Sequence, residues 1–158
     1  MADTVELHAA VELHADPSGP GRLSGVLMVY GEPVADGRGH VFLPGSLSWE
    51  DDGILLNLSH DRKQPLMRVQ PETDGERVLL AAVLPDTTRG RDAAVMVRNG
   101  TYRGLSAEVQ VSRDRMVQGR REIEAAALVG AALVDTPAIR SAQVTVHERQ
   151  RARRRIWL

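Results

Sequence analysis

Run after run in this chain alternates apolar with polar residues, and Gly and Pro cut each run short. A period of two is the mark of half-buried strands, because successive side chains leave opposite faces of a sheet. The opening shows it twice: Val5-Glu6-Leu7-His8-Ala9 recurs as Val11-Glu12-Leu13-His14-Ala15. On one strand, His8 and His14 would share the exposed face as solvated residues, with no third ligand at metal spacing. Pro17-Ser18-Gly19-Pro20-Gly21 ends this segment, and residues 23–30 read as the next strand. Asp36-Gly37-Arg38-Gly39 leads into a strand at 40–43, and Pro44-Gly45-Ser46 opens a short helical turn through Trp49. In the strand at 54–60, Ile54, Leu56, Leu58 and His60 take one face while Leu55, Asn57 and Ser59 take the other. Asp74-Gly75 is a hairpin signal that pairs 67–70 with 77–84.

One helix stands out. Asp86, Thr87 and Thr88 offer N-caps, Ala93, Met96 and Val97 fall on one face, and Asn99-Gly100 supplies the stop. The strand at 105–112 places Leu105, Ala107, Val109 and Val111 on its apolar face, and Ser106, Glu108, Gln110 and Ser112 on its polar face. Further strands are predicted at 122–134 and 142–146, with Gly130 as a bulge and Pro137 as a break. Many short strands with one clear helix predict a mainly β fold with helical decoration, an α+β chain whose sheet closes into a β-barrel. The length fits one domain, residues 1–148, followed by an Arg-rich tail, 149–158.

Composition narrows the chemistry. With no cysteine there is no disulfide framework, thiol nucleophile or thiolate metal site. Five aromatics leave the core to Val, Leu, Ala, Ile and Met. No apolar run reaches the roughly 18 residues of a membrane span, and the acidic N-terminus lacks a signal region. This predicts a soluble protein of the cytoplasm or of a compartment assembled there. Arg149, Arg151, Arg153, Arg154 and Arg155 crowd the tail, so the rest of the chain carries fifteen basic against twenty-one acidic residues, a net of −6. Such a run reads first as a solvated terminus, while its apolar end, Ile156-Trp157-Leu158, suggests a docking end for an acidic partner or, weakly, for nucleic acid. An acidic body with scattered aromatics argues against a nucleic-acid-binding module.

No His-Glu-x-x-His, Gly-x-Ser-x-Gly, phosphate loop or dinucleotide fingerprint occurs. Two residues stand in unusual places: His60 at the end of an aliphatic strand, and Ser106 after Gly104-Leu105 on a polar strand face. A serine nucleophile needs an imidazole to take its proton and a third group to hold that imidazole.

Several segments occur in a telling order: Tyr30-Gly31, Phe42-Leu43-Pro44-Gly45-Ser46-Leu47, 55–61, Pro65-Leu66, Asp86-Thr87, Gly90-Arg91-Asp92-Ala93, Val97-Arg98-Asn99-Gly100, Gly104-Leu105-Ser106 and Leu133-Val134-Asp135-Thr136-Pro137-Ala138. From about Leu23 to Val146 the chain resembles the prohead serine proteases of tailed bacteriophages. The resemblance implies a β-barrel of about seven strands flanked by helices, similar to herpesvirus assemblin. It implies a serine endopeptidase without metal or cofactor, acting inside the assembling procapsid in the host cytoplasm. Its partners would be the scaffolding protein, the major capsid protein and itself, with a homodimer as a further expectation. His60 in Leu58-Ser59-His60-Asp61 takes the general base's place, and Ser106 the nucleophile's. For the third member Glu124 comes first, ahead of Asp135 and Glu108, and Arg140 is a candidate for the oxyanion site. Ala107-Glu108 departs from the small, Gly-containing pair expected after the nucleophile. A catalytically silent capsid-assembly component of the same fold is the alternative.

Overall fold

The computed structural model describes residues 3–16, 19–34 and 39–135, with the backbone alone at 3–10 and 12. The elements, in chain order, are β1 (Asp3–Ala10), β2 (Glu12–His14), β3 (Arg22–Val29), β4 (Val41–Phe42), β5 (Leu47–Ser48), β6 (Ile54–Leu58), β7 (Asp61–Val69), β8 (Glu72–Thr73), β9 (Arg77–Val83), α1 (Thr88–Arg98), β10 (Gly104–Val117) and β11 (Arg120–Val134).

β11 is the spine. One edge pairs antiparallel with β10 along nearly its whole length. The other edge takes β4, β5 and β6 in succession, all parallel to it, at 122–123, 126–127 and 130–133. β1 and β7 complete this seven-stranded sheet, whose main path runs β1-β10-β11-β6-β7. A second sheet of four strands runs β2-β3-β9-β8.

Among the described residues neither sheet closes into a barrel and α1 is the one helix, so the expected closed barrel with flanking helices is corrected to two sheets around a shared core. Apolar faces from both meet in that core: Leu23, Leu27, Val78 and Leu80 from the smaller sheet, Phe42, Leu56, Leu105 and Ile123 from the larger. Stacking buries the apolar stripes as well as closure would, and the open edge strand β7 carries Arg62, Lys63, Pro65 and Arg68, which blunt it against further pairing.

The opening repeat is split between the sheets. β1 pairs with β10, while β2 pairs with β3, with the buried Val11 between them. His8 and His14 therefore lie on different sheets, and His14 Nε2 sits 3.0 Å from Ser24 Oγ. Residues 47–48 form a strand where a helical turn was expected, because β11 offers its free edge there. β7 pairs with β6 rather than β9, and the Asp74-Gly75 turn joins β8 to β9.

The helix is where local rules place it. The Thr87 side chain accepts from Gly90 N–H at 3.0 Å, Asn99 closes the last turn, and Gly100 follows at φ 78°. Ala93 and Ala94 are fully buried, and Arg89 and Arg98 donate to the carbonyls of Pro65 and Pro20. Gly90 is required here, since any side chain would collide with the Pro85 carbonyl. The predicted strand at 142–146, Arg140, and the tail lie outside the described residues.

Candidate active site

Ser106 enters through the register of the large sheet. It is the third residue of β10, opposite His8 on β1 and Ala132 on β11. Ala132 in turn pairs with Asn57 on β6, and Leu133 with Leu58. Residues paired across strands share a face, so Ser106, Ala132 and Asn57 form one row across three strands. The alternate positions, Leu105, Leu133 and Leu58, belong to the core. The face predicted to be polar is also shielded: Ser106 and Ala132 are 0% exposed and Asn57 9%.

His60 arrives at the same end from the other side. Ser59 N–H donates to the Leu133 carbonyl at 2.8 Å, which pins the β6–β7 connection to the end of β11. Leu58 pairs with Asp61, leaving Ser59 and His60 as a two-residue turn with φ 53° and 56°. His60 is thus a turn residue and not the last residue of the aliphatic strand face. Two consecutive positive φ angles suit Asn-Gly and burden ordinary residues by roughly 1–2 kcal/mol each. A sequence that keeps Ser-His in such a turn holds strain there, and strain of this kind collects at functional sites.

Three buried side-chain atoms without a hydrogen-bond partner gather around this end: Ser106 Oγ, His60 Nε2 and Asn57 Oδ1. Ser46 Oγ is another, in the loop before β5. Buried polar atoms are nearly always paired, and each orphan costs about 1–3 kcal/mol. A hydroxyl and an imidazole Nε2 are the two atoms that a nucleophile and its base must present. No hydrogen bond joins them here; such bonds often tighten only once substrate is bound.

The carboxylates sort by position. Glu124 lies eight residues before Ala132 on β11, about 25 Å away at strand rise. There it pairs with Arg113 at 3.0 Å and Arg115 at 3.5 Å. It cannot hold His60, and its expected role as third member is corrected on that geometry. Glu108 stands two residues beyond Ser106 on the same face, opposite Gly130. Asp135 is exposed and follows directly on Val134, at the end of the sheet where the Ser59–His60 turn is pinned. Asp61 is engaged elsewhere. It accepts from Gln64 Nε2 at 3.0 Å and Lys63 N–H at 2.9 Å, which hold its carboxyl below the usual range. Sequence reasoning placed Asn57 on the far face of its strand without assigning it a part. Its signal was an amide inside the otherwise aliphatic run Ile54–Leu58.

The family profile described as caudovirus prohead serine protease matches residues 11–155. The chain belongs to that family. The match takes in the whole segment on which the resemblance was read. In structure it is similar to the bacteriophage T4 capsid assembly protease, gp21, with a TM-score of 0.59 at 12% identity, covering 84% of this chain and 97% of that one. At that identity the likeness speaks for the fold. No curated protein sequence matches the chain. Membership makes it a member of a peptidase family of phage proheads. Among the described residues no helix is long and apolar enough to cross a membrane.

Proposed function

We propose that the chain is a serine endopeptidase that trims the scaffolding protein, the major capsid protein or both, and itself, inside the procapsid during head maturation. The observation that carries this reading is the pair of buried, unpartnered atoms Ser106 Oγ and His60 Nε2 at one end of the large sheet. His60 Nε2 takes the hydroxyl proton as Oγ attacks the scissile carbonyl carbon, then delivers it to the departing amine nitrogen. Water attacks the resulting acyl ester by the same relay, releasing a carboxylate and restoring the hydroxyl. Asp135 is the carboxylate best placed to orient the imidazole. The Arg-rich tail and its apolar end serve as the docking element for the scaffold or capsid partner.

A second reading is a silent assembly component of the same fold. It is favoured by the complete burial of Ser106, which leaves none of its surface open to a peptide in this state. Co-expression with the major capsid protein of the same phage, wild type beside Ser106→Ala, separates the two by intact mass. Trimming confined to wild type supports the protease. Procapsids that contain the chain yet show no trimming in either case establish the silent reading.

A further inference from the structure

A peptide bond under attack at Ser106 develops negative charge on its carbonyl oxygen, and something must donate hydrogen bonds to it. Many serine hydrolases use the backbone N–H groups of the nucleophile and a neighbour. That source is closed here. Ser106 is flanked by His8 and Ala132, and Ala107 by Leu7 and Ala131. In an antiparallel strand paired on both edges, each N–H is taken by one neighbour or the other. Among the described residues, a side chain on the same face is the nearest remaining source.

The row across the sheet supplies one. Ser106 and Asn57 flank Ala132, two strand spacings apart, about 10 Å between Cα atoms. Between them the sheet carries only a methyl group. Two short side chains and one peptide group match that distance, and the row, 0% exposed at Ser106 and Ala132, has to open for the peptide to enter. Asn57 is 9% exposed, and its amide oxygen has no partner. A half-turn about χ2 exchanges the oxygen and NH2 of an asparagine, corners of nearly equal size, so the side chain can present two N–H donors in place of the unpartnered oxygen. A buried amide oxygen without a partner is a cost to stability, and a bond made only to a reacting group would explain why the amide is retained.

We propose that Asn57 is a further catalytic residue, whose side-chain amide binds the carbonyl oxygen of the peptide bond attacked by Ser106. The inference rests on the protease reading. It commits the substrate to lie with its scissile carbonyl over Ala132, carbon toward Ser106 and oxygen toward Asn57.

The test uses the full chain. Procapsids assembled with the Ser106→Ala chain supply uncut capsid protein, and the cleavage rate is followed against its concentration. Asn57→Leu keeps the volume and removes the donors; Asn57→Asp keeps the shape and replaces donors with acceptors. The expected result is a kcat lower by roughly 10²–10³-fold in both variants, with KM within about twofold and the melting temperature of Asn57→Leu equal or raised. Asn57→Leu at wild-type kcat overturns the proposal. So does a kcat that falls only in step with the melting temperature, since that marks a structural role. If wild type cuts no better than Ser106→Ala, the protease reading fails and this proposal falls with it, an outcome the control identifies by itself.

Discussion

The two ends of the β10–β11 ribbon are built on opposite rules. At the far end charges are paired at or near the surface. Arg113 meets Glu124, Arg115 meets Glu122 at 2.8 Å, and Arg121 meets Asp114, while Met116 at the tip is 66% exposed. Arg115 is held even more firmly in its charged form by the Glu122 carboxylate. At the near end the polar atoms are buried and unpaired: Ser106 Oγ, Asn57 Oδ1 and His60 Nε2. Exposed ion pairs contribute little to stability, whereas buried orphans cost it. The paired end therefore reads as support for a long ribbon, and the unpaired end as a place where stability is given up for chemistry.

Replacing the nucleophile tests this contrast most severely. Ser106→Ala should slow capsid-protein trimming at least about 10³-fold while leaving the melting temperature unchanged or higher, because an orphaned hydroxyl is removed. Intact mass and thermal melts read the two quantities. A large loss of stability instead would return Ser106 to the ordinary fabric of the sheet.

Both ends also carry a strained turn, which permits a matched pair. Gln118 at the far hairpin has φ 50°, close to the 56° of His60. Glycine relieves left-handed strain of roughly 1–2 kcal/mol but adds about 0.5–1 kcal/mol of unfolded-state entropy. Gln118→Gly and His60→Gly should each therefore stabilise by about 0.5–1 kcal/mol in urea unfolding. Only His60→Gly should abolish trimming. Equal activity in both variants would make the Ser59–His60 turn no more than a connection.

The same comparison explains what the sequence revealed. Alternation assigns a residue to a face of its strand, so Leu105, Ala107, Val109 and Val111 were legible as core. The cap residues of α1 act within one turn, so its bounds were legible as well. Alternation says nothing about which strand lies alongside, or how far along it a residue stands. Glu124 and Ser106 could thus be read as neighbours although most of β11 separates them. Residues 54–60 were read as one strand because Leu58-Ser59-His60-Asp61 lacks the Gly or Asn that announces a two-residue turn. Asn57 went unassigned because β6 is buried on both faces, where alternation carries no signal. The expected barrel rested on strand count, and closure depends on edges that a strand count does not see.

Removing Glu124 sharpens the contrast from the paired end. Its partners are 69% and 56% exposed in their side chains, so Glu124→Gln should cost less than about 1 kcal/mol. High salt should shrink that difference further. Trimming should proceed at the wild-type rate. If Glu124→Gln instead lowered kcat and left the melting point alone, the ribbon would have to fold back on the site in the active form.

A third turn, far from both ends, gives the smallest effect and the cleanest sign. Asp74 accepts from Arg77 Nε and Nη2 at 3.0 and 2.7 Å, and from the N–H groups of Arg77 and Glu76 at 2.8 and 3.0 Å. These bonds, chiefly those from Arg77, lower its carboxyl to about 2 from an ordinary 3.8. A carboxyl depressed by folding stabilises the fold fully above its unfolded value and loses that contribution as the folded value is crossed. Asp74→Asn should therefore be slightly less stable than wild type at neutral pH. The difference should close as pH falls from about 3.8 to about 2, and trimming at neutral pH should not change. Denaturant midpoints of the two chains along that pH series measure it. A gap that persists at pH 2 would show that the Asp74 side chain matters through its shape in the turn and not through its charge.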